Sequence, residues 1–136
     1  MGMKFSKAKQ VKSNTKIKSV QKFNRTKAKN KLDKLFSLRI RSVGKCQLAG
    51  LDNVRCSQVL QCAHIIGRAN LFLRWNPFNA LSLCSGHHIY YTYHPEGWRG
   101  MMQKFYNESY VWLLQNMNEK IKFNEQYYLQ KLKELT

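Results

Sequence analysis

Cys84-Ser85-Gly86-His87-His88 puts three metal-ligating side chains into five residues, and two kinds of metal site can be read through it. A structural zinc takes four Cys or His ligands in a tetrahedron, usually as two close pairs from two loops. Cys84-x-x-His87 is one such pair. The other would be Cys46 with Cys56, across nine intervening residues, or Cys46 with Cys62. Cys62 falls inside a β-prone run whereas Cys56 follows a polar loop, so Cys46 and Cys56 are the expected partners. His88 is then left for a second site. Phosphodiester hydrolysis needs a base to activate water, a Lewis acid on the scissile phosphate, and stabilisation of the leaving 3′ oxygen. His64 is the candidate base, since a neutral imidazole near pH 7 suits proton abstraction when its other nitrogen is held. Asn79 and His88, nine residues apart, can return to face His64 across one cation.

These residues need elements to hold them. The run over residues 59–66 is β-prone and is broken by Gly67-Arg68, which places His64 near a strand end. Pro77 forbids a continuous helix towards Asn79, so a second extended piece or a helix entry is expected near residues 79–81. Residues 84–92 can form a short helix with Pro95 at its exit. Upstream, Leu32, Leu35, Phe36 and Ile40 follow one helical face and predict a helix over residues 29–41, closed by Gly44. Downstream, Trp98, Met101, Met102, Phe105, Trp112 and Leu113 suggest a helix to about residue 118, and Tyr128, Leu132 and Leu135 another.

The chain has 136 residues, 24 Lys and Arg against 7 Asp and Glu, and a formal charge of +17. Such a molecule is drawn to polyanions, and nucleic acid is the expected partner. Up to residue 32 every charged residue is positive, which reads as a flexible arm against phosphates. Arg68, Arg74 and Arg99 are candidates for clamping phosphate near the scissile bond. No apolar run is long enough for a membrane span, and the Lys-rich start lacks the apolar core of a secretory signal. A cytoplasmic location follows as an expectation, and four cysteines in a reducing compartment read as metal ligands or buried small side chains.

The order Ala63-His64-Ile65-Ile66-Gly67-Arg68, then Arg74-Trp75-Asn76-Pro77-Phe78-Asn79-Ala80-Leu81, then Leu83-Cys84-Ser85-Gly86-His87-His88 resembles the HNH endonucleases of the ββα-metal superfamily. More narrowly it is similar to small HNH proteins of bacteriophages, over roughly residues 46–98. Charge and periodicity outside those residues add a basic, flexible DNA-contacting arm (1–31), a helix packing on the core (32–44) and C-terminal helices (98–136), so the expected fold is α+β, a ββα-metal core with a structural zinc flanked by an N-terminal helix and C-terminal helices. The resemblance itself implies that zinc-stapled core (45–97). It makes His64 the general base, Asn79 the middle Asn, and His88 the final His and a ligand of a catalytic Mg²⁺ or Mn²⁺. In family members the middle Asn either binds that cation or orients the base loop. Cys84 and His87 fall where the family places its second zinc pair, with His in place of the usual Cys.

Ala63 departs from the pattern, because many members carry Asp or His there as a further ligand. The cation would rest on Asn79, His88, water and substrate phosphate, with His94 or Glu96 as a further candidate. The implied activity is metal-dependent cleavage of DNA to 5′ phosphates. Cutting both strands would need two sites, so a homodimer is a candidate state. The rival reading is a non-catalytic zinc-containing DNA-binding or recombination-associated protein, in which Ala63 reflects a decayed site.

Overall fold

A computed structural model describes residues 22–136. The expected arm therefore lies largely outside the described residues, but its last part does not behave as an arm. Helix α1 spans Arg25–Arg41, capped by Asn24, whose side-chain oxygen accepts from the Lys27 N–H at 2.9 Å. It starts before residue 29 because Ala28 adds one more step to the buried stripe Ala28, Leu32, Phe36 and Ile40, spaced one residue in four. Residues 25–31 are thus helix. The chain leaves α1 at Gly44, whose φ of +82° suits glycine.

A loop carrying Cys46, Asp52 and Cys56 leads into β1 (Leu60–His64), which pairs antiparallel with β2 (Ala80–Cys84). The register sets Leu60 opposite Cys84 and His64 opposite Ala80, so the two future site regions lie at opposite ends of one ribbon. Of the two alternatives expected near residues 79–81, the extended piece is the one found. A short 3-10 turn, Pro77–Asn79, opens with the Asn76 side chain accepting from the Phe78 N–H, and β2 follows at once. Helix α2 (Ser85–Thr92) continues directly from β2.

Both faces of this small sheet are covered. Ala63, Leu81 and Leu83 point into one core with Leu48, Tyr91, Met102 and Tyr110. Cys62 and Ala80 point the other way, towards Leu32, Phe36, Trp75 and Tyr128. Strand β2 is accordingly buried along its whole length, which two-sided covering demands. The second core is closed by α5 (Glu125–Leu135), which packs on α1 through the fully buried Tyr128.

The single helix expected to residue 118 is in fact two, α3 (Pro95–Phe105) and α4 (Asn107–Asn116). Tyr106 breaks it with φ −136° and ψ 35°, and its hydroxyl donates to the Gln47 carbonyl at 2.7 Å, tying the break to the loop after α1. The fold is a mixture of helices and one small antiparallel sheet, an α+β arrangement. No helix among the described residues is long and apolar enough to cross a membrane.

Candidate metal centre and the histidine cleft

Cys46, Cys56, Cys84 and His87 converge at one end of the ribbon, with their ligand atoms all within 4.8 Å of one another. His87 Nδ1 lies 3.6 Å from Cys46 Sγ, 3.6 Å from Cys56 Sγ and 3.2 Å from Cys84 Sγ. A tetrahedral zinc with Zn–S of about 2.3 Å and Zn–N of about 2.0 Å has N···S edges of about 3.6 Å, so the four groups fit a zinc. Local structure makes the second pair. Cys84 is the N-cap of α2, its sulfur accepting from the His87 N–H, and this turn folds the His87 ring back over it. Gly86 is needed there because a Cβ would sit 2.9 Å from the Arg55 carbonyl oxygen, on the loop that brings Cys56.

The imidazole is oriented from behind. His87 Nε2 lies 2.9 Å from Asp52 Oδ1, and Tyr91 donates its hydroxyl to Asp52 Oδ2. A proton on Nε2 leaves the Nδ1 lone pair facing the three sulfurs, the usual carboxylate–histidine–metal arrangement. Without a cation the sulfurs compete. Burial opposes ionisation of Cys84, but hydrogen bonds from His87 and Ser57 bring its thiol down to about 6. Burial and the neighbouring sulfurs of Cys84 and Cys46 push the Cys56 thiol up to about 12. Three thiolates this close need a cation, and the donor set of three sulfurs and one imidazole is the soft, four-coordinate type zinc takes.

At the other end of the ribbon stands His64, with Nε2 2.8 Å from the Arg74 carbonyl. That carbonyl can only accept, so Nε2 carries the proton and Nδ1 is the basic nitrogen, with no hydrogen-bond partner among the described residues. Burial lowers its pKa below the usual 6.5, only partly countered by the Arg74 carbonyl, and holds the ring neutral at pH 7. His88, on the first turn of α2, places Nδ1 2.8 Å from Gln61 Oε1. Its pKa is likewise lowered by burial. His64 at the end of β1 and His88 on α2 both line the same cleft. On one side the cleft is walled by Ile65, Leu83, Tyr91 and Trp98. On the other it opens between α1 and β1 beside Ser37, Arg41 and Arg68.

Asn79 does not join them as a ligand. It is fully buried, and its amide is spent on the loop between the strands. Oδ1 accepts from the Ile66 N–H at 2.7 Å, and Nδ2 donates to the Ile66 and Leu73 carbonyls, both at 3.0 Å. Of the two roles the resemblance allowed, the geometry is that of a loop-orienting residue. It pins residues 66–73, which carry the chain round to the Arg74 carbonyl that holds His64.

The three arginines part company. Arg74 is committed to structure: Nε and Nη2 donate to Asp33 at 3.0 and 2.7 Å, Nη1 donates to the Arg68 carbonyl, and the guanidinium lies over the Trp75 ring. It is therefore unsuited to clamping phosphate. Arg68 borders the cleft, its side chain 62% exposed and 3.7 Å from Asp33. Arg99 is exposed on α3, and none of the cleft walls includes it. His94 stacks on Tyr90 with ring centroids 4.0 Å apart and hydrogen-bonds the Tyr90 carbonyl, a local role at the start of α3. Glu96 is exposed on the first turn of that helix. Cys62, the alternative zinc ligand, faces α1 and stays out of the cluster, as its position in β1 dictates.

Three residues that matter here carried no signal of their own. Asp33, Gln61 and Asp52 hold Arg74, His88 and His87 respectively. Each reaches across 27 residues or more, and no periodicity or spacing announces such a partner. Comparison with family models, with curated proteins and with solved structures returned no match in any of the three.

Proposed function

We propose that the chain is a metal-dependent endonuclease of the HNH type, hydrolysing DNA phosphodiester bonds to leave 5′ phosphates. One observation carries the reading: His64 is anchored through Nε2 on a backbone carbonyl, is held neutral by burial, and shares its cleft with His88. A neutral imidazole with one nitrogen fixed and the other open is what a general base for water requires. His64 Nδ1 takes the proton as a water oxygen attacks phosphorus, and the Arg74 carbonyl stabilises the resulting imidazolium through Nε2–H. Arg68 offers a guanidinium to the non-bridging phosphate oxygens. Asn79 keeps the base loop in register.

His88 would hold the catalytic cation through Nε2, with Gln61 fixing the ring, and Mg²⁺ or Mn²⁺ there would supply Lewis-acid stabilisation of the leaving 3′ oxygen. One imidazole nitrogen is a lean protein shell, so the remaining ligands must be water and phosphate oxygens, and the cation binds together with substrate. Zinc at Cys46, Cys56, Cys84 and His87 is structural in this reading, a staple for the loop before β1 and the start of α2.

The test is nicking of supercoiled plasmid by zinc-loaded protein, with and without added Mg²⁺ or Mn²⁺. Nicking that depends on the added cation supports the reading. Tight DNA binding with no nicking under any of these cations favours the rival, a non-catalytic zinc-containing DNA-binding or recombination-associated protein. The lean shell at His88, with Ala63 opposite Leu81 rather than a carboxylate, is the feature that favours that rival.

A further inference from the structure

The side of α1 opposite the buried Ala28, Leu32, Phe36 and Ile40 carries the exposed Lys27, Lys31 and Lys34, then Leu38 and the half-buried Arg41, along one helical stripe. None of the four cations has an ion-pair partner among the described residues. The sole carboxylate of α1, Asp33, sits at the edge of the stripe and is already taken by Arg74 and the Trp75 N–H. The first turn holds no acid, and Lys27 there opposes the helix dipole. At its C-terminal end the stripe runs into the cleft. Arg41 is held by Ser37 at 3.0 Å, and both residues line the cleft wall facing Gln61, His64, Arg68 and His88. The other wall of the histidine cleft carries no cation, whereas the α1 side carries Arg41 and Arg68.

We infer that α1 is the track on which a duplex DNA backbone docks, with Lys27, Lys31 and Lys34 contacting successive phosphates and Arg41 delivering the strand into the cleft beside Arg68. This rests on the nuclease reading for the direction of the track, and it adds which surface binds. The dimensions suit a duplex. From residue 27 to 41 the helix rises about 21 Å at 1.5 Å per residue, a length over which duplex DNA presents about twelve phosphates. A long stretch of regularly spaced anions matches four unpaired cations on a rigid rod better than an isolated phosphate does.

The experiment is the salt dependence of duplex binding, measured on the full chain without added Mg²⁺ or Mn²⁺ so that no cleavage intervenes. Four lost phosphate contacts should flatten the slope of log K against log salt by about 3 to 4 in the variant Lys27→Gln, Lys31→Gln, Lys34→Gln, Arg41→Gln, and weaken binding by about tenfold or more at fixed salt. A matched control removes four exposed lysines elsewhere: Lys104→Gln, Lys120→Gln, Lys122→Gln, Lys133→Gln. Circular dichroism and zinc content confirm that both variants fold. An unchanged slope in the α1 variant overturns the track, as does an equal loss in the control. Tighter α1-dependent binding to single-stranded RNA than to duplex overturns DNA as its occupant. A wild type that binds through α1 yet nicks nothing would remove the nuclease reading and leave the track standing.

Discussion

His87 and His88 are adjacent, yet a helix turns neighbouring side chains about 100° apart, and that rotation sends one imidazole into the sulfur cluster and the other into the cleft. Their variants should therefore differ in kind. His87→Ala should lose bound zinc and cooperative folding, whereas His88→Ala should remain folded and zinc-loaded while nicking poorly. Zinc quantification beside a plasmid assay separates them, and matching behaviour would mean that the two imidazoles do not serve separate metals. Asn79 shows how far a residue's role can be read from its type. Its amide pattern was compatible with ligand or loop-holder, and only the positions of Ile66 and Leu73 decide for the loop. Asn79→Ala strands one buried N–H and two carbonyls, so it should destabilise the protein by about 2–4 kcal/mol in urea unfolding. A cost under about 0.5 kcal/mol, the size of an ordinary surface change, would contradict the pinning role. The proposed base, His64, has its own signature. Since burial lowers the His64 pKa, the imidazole stays neutral to lower pH than a free one, and the acidic limb of the rate profile should fall with a midpoint below 6.5. A midpoint above 6.5 would point to a different base.

At the scale of elements, α1 is joined by one carboxylate to the loop that carries Arg74 and Trp75. Asp33 accepts from Arg74 twice and from the Trp75 indole N–H at 2.9 Å, and the Arg74 side chain is only 14% exposed. Those bonds hold its carboxyl below the usual range although burial alone would raise it. Hydrogen bonds to charged groups are worth about 1.5–3 kcal/mol each, and unpairing a half-buried guanidinium adds to that. Asp33→Ala should accordingly cost about 2–4 kcal/mol and loosen the Arg74 carbonyl under His64. By contrast, Glu134→Ala, which removes the more exposed partner of the Lys131 pair, should cost under about 1 kcal/mol. Comparable losses in thermal denaturation would contradict the clamp. The elements themselves were largely legible. The stripe through Leu32, Phe36 and Ile40, the β-prone run ending at His64 and the helix after Cys84 all carry local patterns that the fold keeps. The break at Tyr106 was not, because no Pro or Gly marks it. There the Tyr106 hydroxyl bonds the Gln47 carbonyl, fifty-nine residues away, and window periodicity cannot register a contact at that separation.

For the whole molecule, the ribbon of β1 and β2 separates a soft, sulfur-rich end from an imidazole cleft, with α2 spanning between them. Cys84 and His87 could be paired from their spacing alone, and Cys46 with Cys56 from exclusion of Cys62. What ties that end to the rest was beyond the sequence, since Asp52 and Tyr91 meet His87 only in three dimensions. With so small a sheet, zinc should be a folding ligand, so that chelation abolishes the cooperative thermal transition and re-addition of zinc restores it. The central claim is that this scaffold presents His64 as a base to a DNA phosphate. Its most direct measurement is a paired assay of wild type and His64→Ala, both zinc-loaded, for plasmid nicking in Mg²⁺ or Mn²⁺ and for duplex affinity. The expected result is unchanged affinity with nicking reduced by about 10²–10⁴-fold. Equal nicking by the two proteins would contradict the assignment of His64 as the base.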